Sequence, residues 1–494
     1  MKTIRTDKVD PQDLKPIERE WAYNGLDCCI TSEVLSVLEP QLDATTHATY
    51  TFSRSLQGPV LEMRLRGVRV DPARKARVID EYFEKLEVLE ANLERIVGEG
   101  VGFWGFNWRS PRDLYELFYD RLGIPIIRKQ GRPTVDRNAL EKMQAYMVAK
   151  PIVAHMLAMR DLGKKISVLK TEVDPDGRMR TSYNIAGTNT FRFSSSFSEF
   201  GTGGNMQNIE DSLRSIFVSD PGMKMAYIDA AQIQSRIVGA IEWNLFKDGT
   251  YLDACESGDL HTMVSMMCEP SWDWTDDPKH NREVAEQPFY RHHGLRKLCK
   301  SIGHGSNFDG QPPTLSRMYK IDIDAIKEFQ RVYFAKFPAH KWWHQWVKDT
   351  IRATGTIVSI TGNRRQFFGR RDSADTIREA IAFDPQCSES RIVNSGMLKV
   401  WRANICQLLM QGHDAIVIQY PEEREDEIIP EVMKQVRHPV NLLHDRVLDV
   451  PYDCKTGWNW GEASKDNPDG LKEYKPGDKR KRTPPVKILD RVVR

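Results

Sequence analysis

The spacing of apolar residues predicts helices over most of the first 180 residues. Apolar side chains recur every three to four positions over residues 10–50, from Thr51 to Gly67 and from Asp71 to about Val101, a period that is typical of amphipathic helices. Between the last two segments, RGVRVD alternates polar and apolar residues, which predicts a short strand. Residues 71–180 are therefore expected to form a mostly helical lobe.

Two helix starts inside this lobe can be placed from their capping residues. Ser110 precedes Pro111; a serine side chain accepts hydrogen bonds from the first turn of a helix, and proline suits the first helical position. Thr134 or Asp136 is the expected cap of another helix, which should end near Lys150.

The pattern changes after this lobe. GTNTFRFSSS and EFGTGGNMQNI have the Ser, Thr, Asn and Gly content of loops. MKMAYIDAAQIQSRIVGAI begins as a buried strand and continues as a helix, and residues 250–345 are again helical apart from a Pro, Trp and Asp insertion at 269–278. Two apolar strands, ICQLLMQ and AIVIQY, flank a tight turn at 412–415. We expect an α+β fold made of several lobes.

Composition narrows the class of protein. The chain has 494 residues, a net charge of +2 and 28% charged residues, which is the composition of a folded chain with a sizeable core. At about 150 residues per domain, the length suggests about three domains or one multi-lobed enzyme. No stretch approaches the roughly 20 apolar residues of a membrane helix, and the polar start does not resemble a secretory signal. Membrane, secreted and fibrous proteins are therefore excluded.

The cysteines predict a reduced, intracellular chain without a structural metal. Eight cysteines are present, and none forms a CxxC pair or a zinc-like cluster. The adjacent Cys28 and Cys29 are poorly placed to bond each other.

Positive charge is concentrated near the C-terminus. Residues 464–494 hold ten Lys or Arg against five Asp or Glu, including the block Lys479-Arg480-Lys481-Arg482. Because Pro and Gly are frequent there, residues 463–494 are expected to form a flexible basic tail. Two interpretations remain open: a solvated terminus, or a weak contact with nucleic acid through its phosphates.

Two aspartates lie where carboxylates could meet at the end of a sheet. Asp229 comes where the apolar strand MAYI stops, and Asp414 lies in the turn GHDA between two apolar strands. Carboxylates at neighbouring strand ends are what two hard cations about 3.5–4 Å apart require. A single strand-end aspartate is more often a turn residue or a helix cap, so each one alone is weak evidence.

Between these aspartates, RKLCKSIGHGSNFDG predicts a helix with a cationic face that continues into an aromatic one. Arg296, Lys300, His304 and Phe308 are spaced by four residues and therefore share one face. Such a face can hold a triphosphate at one end and a base at the other, whereas the alternative is an amphipathic helix with a solvated basic edge. His261, in GDLHT, lies at the start of a neighbouring helix.

Taken together, these segments closely resemble the family A DNA polymerases, the class of bacterial repair polymerases and many phage replicases. IDAAQIQSR resembles the first palm motif, with Asp229 at its metal-binding position and Gln232 and Arg236 at its glutamine and arginine. GHDA resembles the His-Asp-Glu motif through His413 and Asp414. RKLCKSIGHGSNF resembles the fingers-helix motif.

Further segments extend the resemblance to about residues 15–462, in the order and spacing of the family. TNTFRFSSS, NMQNI and REAIAFDPQ resemble its DNA-contacting segments, and GWNWGE resembles the end of its domain. The residues that the resemblance assigns to DNA binding are Arg192, Asn205, Gln207, Asn208, Arg378, Gln386 and His413.

The resemblance implies a hand-shaped α+β polymerase with a helical thumb, a palm sheet and helical fingers. The implied domains are an exonuclease-like segment at 1–50, the thumb at 51–180, the palm at 181–250 and 346–462, the fingers at 251–345, and the basic tail at 463–494. Such an enzyme would extend a primer on template DNA with dNTPs, for replication or repair in the bacterial cytoplasm, in a phage-infected host.

The resemblance also implies a two-metal mechanism. Asp229 and Asp414, with Ala230, would hold two Mg²⁺ ions that act on the primer 3′-OH and the departing pyrophosphate. Arg296, Lys300 and His261 would neutralise the triphosphate, while Phe308 and His304 would stack on or beside the bases. The implied nucleotide-binding residues are Gln232, Gln234, His261, Arg296, Lys300, His304 and Phe308.

Three motifs depart from the family's pattern. Gln234 stands where the family usually has a glutamate that helps to exclude a ribose 2′-OH. His304 replaces a Phe or Tyr, and Asp309 separates Phe308 from the next glycine. Ala415 replaces the third acid of His-Asp-Glu.

The segment YNGLD, with Tyr23 and Asp27, resembles the last of three motifs of the family's 3′–5′ exonuclease. The earlier acidic motifs are not found before it, so we expect this chain alone to lack proofreading. Two interpretations are open: a separate chain supplies the exonuclease, or this segment is a remnant helix packed on the palm.

Two other functions fit parts of this pattern. A single-subunit RNA polymerase shares the palm and fingers and fits Gln234, but YNGLD, TNTFRFSSS and NMQNI favour a DNA polymerase. A non-catalytic DNA-binding subunit is disfavoured by the intact aspartates and by the Arg296 and Lys300 pair.

Overall fold

The structure is a computed structural model that describes residues 14–199, 201–290, 293–478 and 480–483. Its α-helices are α1 (Pro16–Leu38), α2 (Ala44–Ser55), α3 (Gln57–Arg66), α4 (Pro72–Val101), α5 (Pro111–Tyr115), α6 (Arg137–Met143), α7 (Lys150–Leu169), α8 (Ile233–Phe246), α9 (Thr250–Glu256), α10 (Leu260–Cys268), α11 (Pro278–Glu286), α12 (Leu295–Asn307), α13 (Pro312–Tyr319), α14 (Ile323–Lys336), α15 (Ala339–Thr354), α16 (Ala374–Ala403) and α17 (Glu425–Gln435). Its strands are β1 (Val68–Val70), β2 (Arg128–Lys129), β3 (Arg132–Pro133), β4 (Arg178–Met179), β5 (Ser182–Asn184), β6 (Ser194–Ser196), β7 (Phe217–Val218), β8 (Met223–Ala230), β9 (Pro288–Tyr290), β10 (His293–Gly294), β11 (Thr356–Val358), β12 (Arg364–Gln366), β13 (Gln407–Gly412), β14 (Ala415–Pro421), β15 (Val440–Asn441), β16 (Val447–Leu448), β17 (Tyr452–Gly457) and β18 (Lys472–Glu473).

The chain folds into two units, each built from several stretches of sequence. The first unit comprises Met1–Gln57, Gln234–Arg391 and Val440–Leu448, and the second comprises Gly58–Ile233, Ile392–Pro439 and Asp449–Arg494. The segment 346–462, expected to be one part of the palm, is thus divided between both units.

A five-stranded antiparallel sheet with the order β13-β14-β8-β17-β18 lies in the second unit. β14 is buried along almost its whole length, which explains why AIVI is a continuous apolar run rather than an alternating one. The predicted hairpin is confirmed, because Gly412 pairs with Ala415 across a two-residue turn.

The predicted long amphipathic helix is confirmed as α4 in the second unit. The Asp71 carboxylate accepts the N–H of Arg74 at 3.0 Å, and Gly102 ends the helix in the left-handed conformation that glycine adopts without strain. Its buried face, spaced by four and seven residues, consists of Tyr82, Leu86, Leu93 and Val97. α4 packs against α7, and both contribute to a core that also includes sheet residues.

The helix expected to end near Lys150 is wrong in its extent. The Asp136 carboxylate caps α6 by accepting the N–H of Ala139 at 2.9 Å, but α6 ends at Met143 and α7 begins at Lys150. Pro151 lies in the first turn of α7, where its missing N–H removes no helical hydrogen bond. The Lys-Pro pair therefore begins a helix.

The predicted flexible tail is also wrong for its described part. Lys472–Glu473 forms the edge strand β18, Leu471 is only 3% exposed, and the Arg480 guanidinium donates to the carbonyl of Gly470 at 3.3 Å. The backbone pairs with β17 while the charged side chains remain at the surface, so a high charge content did not prevent ordering. Lys479 and residues 484–494 lie outside the described residues.

A buried polar network runs through the helices of the first unit. The Tyr333 hydroxyl donates to Asn307 Oδ1 at 2.8 Å, and Asn307 Nδ2 donates to the Tyr251 hydroxyl at 2.9 Å. The His340 ring contacts the Glu242 carboxylate, and both side chains are fully buried. Because Asn307 is the last residue of α12, this network fixes the C-terminal end of that helix.

Candidate active site

Backbone pairing in the sheet brings Asp229 and Asp414 together. β8 pairs with β14 so that Asp229 lies opposite Ala415, the residue that follows Asp414. The N–H of Ala230 donates to the carbonyl of Asp414 at 2.9 Å. Since neighbouring strands are about 4.8 Å apart, both aspartates lie at one end of the sheet.

The two carboxylates share an electrostatic environment with nearby tyrosines. Burial raises the pKa of the Tyr227 phenol, and the negative charges of Asp229 and Asp414 raise it further. Burial and Asp229 likewise raise the pKa of Tyr452 on β17. Both tyrosines are therefore neutral at pH 7. Within the described residues, the buried Tyr452 hydroxyl has no hydrogen-bond partner.

Gln232 lies in the turn between β8 and α8, and two of its features cost free energy of folding. Its backbone is left-handed, with φ of 53°, and its buried Oε1 has no hydrogen-bond partner within the described part of the chain. Strain and an unpaired buried acceptor each cost about 1–3 kcal/mol, and such costs cluster at functional sites. This geometry supports the predicted role of Gln232.

The donor set at this end of the sheet fits Mg²⁺ that is shared with a substrate. Protein Mg²⁺ sites often use one or two carboxylates and complete their coordination with water and substrate phosphates. Asp229 and Asp414 supply two carboxylates, whereas the described residues contain no group of three or more His, Cys, Asp or Glu side chains placed to hold a metal. The residues fit an ion held jointly with substrate phosphates and do not form a complete protein cage.

Sequence reasoning missed a third acid on this face of the sheet. Asp453 on β17 lies directly opposite Asp229, so the two side chains point to the same face. The signal was the alternation in VPYDCKTG, which marks Asp453 as the exposed residue of a half-buried strand.

On the first unit, Arg296 is held by a carboxylate that the sequence did not reveal. Its guanidinium donates to Asp259 through two bonds, Nε to Oδ2 at 2.7 Å and Nη2 to Oδ1 at 3.0 Å. Asp259 also caps α10 by accepting the N–H of His261 at 3.1 Å. Burial opposes ionisation of Asp259, but Arg296 and the Thr262 hydroxyl outweigh it and lower its pKa to about 2.

His261 is expected to be neutral at pH 7 in this site. Burial lowers its pKa to about 4, and the positive charges of Arg296 and Lys300 contribute to the shift. Before an anion binds, His261 therefore offers an N–H donor rather than a charge, and its role at a triphosphate stays a prediction.

The predicted cationic and aromatic face of α12 is present. Lys300 and His304 are exposed, and the His304 and Phe308 rings lie 5.0 Å apart at 65°. The opposite face of α12 is buried, which confirms that the helix is amphipathic.

Gln234 has a partner that is 155 positions away in the sequence. Its Nε2 donates to Glu389 Oε1 at 3.0 Å, and Glu389 on α16 is 1% exposed. A carboxylate thus accompanies position 234, although position 234 itself is an amide.

The DNA-binding residues predicted in the second unit lie in different environments. Gln207 Nε2 donates to Gln411 Oε1 at 2.9 Å, and Asn205 Oδ1 accepts the Ser195 hydroxyl at 2.6 Å, so both amides support the protein itself. Asn208 lines a cleft of about 370 Å³ that also includes lysines of α7.

His413 and Arg192 interact electrostatically in the second unit. Burial and the positive charge of Arg192 lower the pKa of His413. In the first unit, Arg378 is exposed and pairs with Asp375, whereas Gln386 on α16 is partly buried.

Helix α1 carries Tyr23 and Asp27 and buries none of its residues. Tyr23 is 66% exposed, and Trp21 is 65% exposed. The interpretation of this segment as a remnant helix that packs on the palm stays a prediction.

The α+β fold brings two aspartates to one end of a sheet, and comparison with known proteins identifies the family. The sequence model of DNA polymerase family A matches residues 74–462. The chain belongs to DNA polymerase family A. Tyr23 and Asp27 precede the matched residues.

Similar proteins are DNA polymerases I. The thermostable DNA polymerase I of Thermus filiformis is 27% identical over 84% of this chain and 48% of its own length, and that of Geobacillus stearothermophilus is 27% identical over 83% and 45%. The chain thus spans about half the length of these relatives.

A solved structure confirms the α+β polymerase fold. The POL domain of Pol1 from M. smegmatis, in complex with DNA primer-template and dNTP, is 22% identical and has a TM-score of 0.67 over 82% of this chain and 69% of that chain. Across the described residues, every helix is too short or too polar to span a membrane.

Proposed function

We propose that this protein is a template-directed DNA polymerase that adds dNTPs to a primer 3′-OH. The observation that carries the proposal is the pairing of Asp229 and Asp414 at one end of the sheet in a family A chain. The relatives named DNA polymerase I, and the neighbour bound to primer-template and dNTP, support the same substrates. A role in bacterial or phage DNA replication or repair belongs to this proposal.

In the proposed reaction, Asp229 and Asp414, with Ala230, hold two Mg²⁺ ions. When bound, Mg²⁺ would lower the pKa of the primer 3′-OH and stabilise the charge on the departing pyrophosphate. The neutral Tyr227 and Tyr452 lie near the carboxylates and add no competing charge.

The triphosphate would be bound by α12 and the start of α10. Lys300 is exposed and offers a full positive charge, whereas Arg296 shares its charge with Asp259. His261 would donate a hydrogen bond, and a bound polyphosphate would raise its pKa because the anion favours the imidazolium form. Gln232 and Gln234 would contact the nucleotide, with His304 and Phe308 beside the bases.

Primer extension tests the proposal. Purified protein with Mg²⁺ should extend a labelled primer with dNTPs, and EDTA should stop extension. Asp229→Ala and Asp414→Ala should abolish extension while DNA binding is retained. Extension by either variant would contradict the assignment.

The same template distinguishes the RNA polymerase alternative. Incorporation of rNTPs as efficiently as dNTPs would favour it, and binding of DNA without any metal-dependent extension by the wild type would favour a binding subunit.

We also propose that α1 is the docking helix for a 3′–5′ exonuclease. The helix exposes large apolar side chains along its length, and Asp27 lies among them where it could complete an acidic site. A labelled, 3′-mismatched primer should not be shortened by this chain with Mg²⁺ and no nucleotides. Shortening that appears only on addition of an exonuclease protein, and is lost in Asp27→Ala, would support the proposal; shortening by this chain alone would contradict it.

A further inference from the structure

The loop between β12 and α16 in the first unit presents a single aromatic ring to solvent. Phe368 is 89% exposed, whereas its neighbour Phe367 is 6% exposed. Phe367 donates its N–H to the carbonyl of Gly355 at 2.8 Å, and its ring packs against that of Phe383 with 6.3 Å between the ring centres. The backbone before Phe368 is therefore anchored.

The backbone after Phe368 is anchored as well. A Cβ added at Gly369 would lie 2.7 Å from the Thr376 hydroxyl oxygen, so this residue packs closely on the start of α16. Phe368 is thus held outward between two packed neighbours. A large apolar ring fixed in water gains no burial energy from the fold, and a ligand with an apolar face would supply it.

Arginines flank this ring in the sequence. Between Arg352 and Arg378 the chain has six arginines and two aspartates. The Arg365 guanidinium lies 4.2 Å from the centre of the Phe367 ring, and Arg371 donates to the carbonyls of Arg352 and Ala353 at 3.1 and 3.2 Å. Arginines thus precede and follow Phe368 in the sequence, and the contacts of Arg365 and Arg371 hold them on the protein surface near the loop's two ends.

The most exposed of these arginines are paired in a way that an anion can replace. Arg370 has 83% of its side chain exposed and lies 3.2 Å from Asp372, and Arg378 is 61% exposed beside Asp375. Exposed ion pairs of this kind contribute little to stability, whereas guanidinium groups bind phosphate through paired hydrogen bonds.

We propose that Phe368 stacks on an unpaired nucleobase of single-stranded DNA while the neighbouring arginines bind its phosphates. A ring that stands out from the surface can stack only on a base whose face is free, and bases inside a duplex are covered by their neighbours. Alternating aromatic and cationic groups are the usual chemistry of single-strand binding. The inference deepens the proposed function by assigning unpaired template to this loop.

Binding of a fluorescent oligo(dT) 12-mer tests the proposal. Phe368→Ala should weaken binding by about tenfold, since stacking on one base contributes about 1–3 kcal/mol. Met318→Ala, which removes a 62% exposed apolar side chain from α13 of the same unit, is the matched control and should bind like the wild type. Equal binding by Phe368→Ala and the wild type would overturn the proposal.

A second variant reports stacking directly. Phe368→Trp should bind oligo(dT) as tightly as the wild type, and its added fluorescence should be quenched by the stacked base. Arg370→Ala should reduce the dependence of binding on salt concentration, because one fewer phosphate is neutralised. Unchanged Trp fluorescence on saturation would overturn the stacking assignment.

The assay separates this proposal from the polymerase assignment. Oligonucleotide binding needs neither nucleotide nor metal, so it can be measured whether or not the wild type extends primers. On primed templates, Phe368→Ala should lose affinity for a template with a long 5′ overhang and keep its affinity for a blunt duplex. Equal losses on both DNAs would show that Phe368 does not recognise unpaired bases.

Discussion

The acidic residues of the second unit and the cationic residues of the first unit are positioned by different interactions. Asp229 lies on β8 and Asp414 in the turn that leads into the neighbouring strand β14, and backbone hydrogen bonds hold these two segments together. Arg296 on α12 is positioned by side chains, through its two bonds to Asp259. The backbone at Asp229 and Asp414 should therefore keep its position when their side chains are substituted. The position of the Arg296 side chain should instead change when its counter-ion Asp259 is removed.

The largest expected effect is at the sheet. Asp414→Asn keeps the shape of the side chain but removes the charge that is proposed to bind Mg²⁺, so primer extension should fall by about a thousandfold or more. Thermal stability and DNA binding should be unchanged, because the backbone pairing holds residue 414 in place. Asp453→Asn, on the same face of the sheet, is the control and should extend primers within a few-fold of wild type; a loss equal to that of Asp414→Asn would mean that the site uses three acids.

Substitutions at the two cationic residues of α12 should separate a loss of activity from a loss of stability. Lys300→Ala should lower kcat/KM for dNTPs by about 10- to 100-fold with no change in melting temperature, because Lys300 is exposed. Arg296→Ala should cause a similar kinetic loss and also lower the melting temperature, because it leaves the partly buried Asp259 without its cation. Steady-state kinetics and thermal unfolding of both variants test this difference. Equal melting temperatures would contradict a positioning role for Asp259.

A substitution at position 234 tests how far the stability of the first unit depends on the contact between the side chains of Gln234 and Glu389. Gln234→Glu restores the residue that is usual in the family but places a carboxylate 3.0 Å from the buried Glu389. We expect the free energy of unfolding to fall by about 2 kcal/mol, because two like charges cannot both ionise there at low cost. Adding Glu389→Gln should recover most of the loss, and denaturant unfolding of the four proteins in a double-mutant cycle measures the coupling. Additive losses would show that the two side chains do not interact.

The last expected effect is a dependence of the free energy of unfolding on pH, which arises in the first unit. Burial raises the pKa of Asp384 from 3.8 to about 7, while its Oδ1 accepts the Ser388 hydroxyl at 2.8 Å. Between these pH values the folded protein binds more protons than the unfolded chain, so this group lowers stability as pH rises from 3.8 to 7. Asp384→Asn has no proton to lose, so its stability relative to the wild type should be greater at pH 8 than at pH 5, by about 2–3 kcal/mol. Denaturant unfolding at both pH values tests the sign, and an equal difference at pH 5 and pH 8 would contradict it.

The sequence predicted the parts of the site that depend on short-range patterns. The alternation and runs of apolar residues placed Asp229 at the end of β8 and Asp414 in the hairpin turn, and the spacing of four placed Arg296 and Lys300 on one face of α12. These features depend on residues within a few positions of one another, where helix and strand periods determine which side chains share a face. The ordered motifs also identified the family before any comparison.

Only the tertiary structure decided which distant residues are partners. Asp259 lies 37 positions before Arg296, and Glu389 lies 155 positions after Gln234, so no local period relates them. The exposure of Phe368 beside the buried Phe367 likewise depends on which surface the loop packs against. The sequence by itself determined the secondary structure around the aspartates, the cationic helix and the family. Packing between segments that are far apart in the chain decided the counter-ions, the protonation of His261 and the ring that remains in solvent. Those properties depend on burial and on charges that only the folded chain brings close.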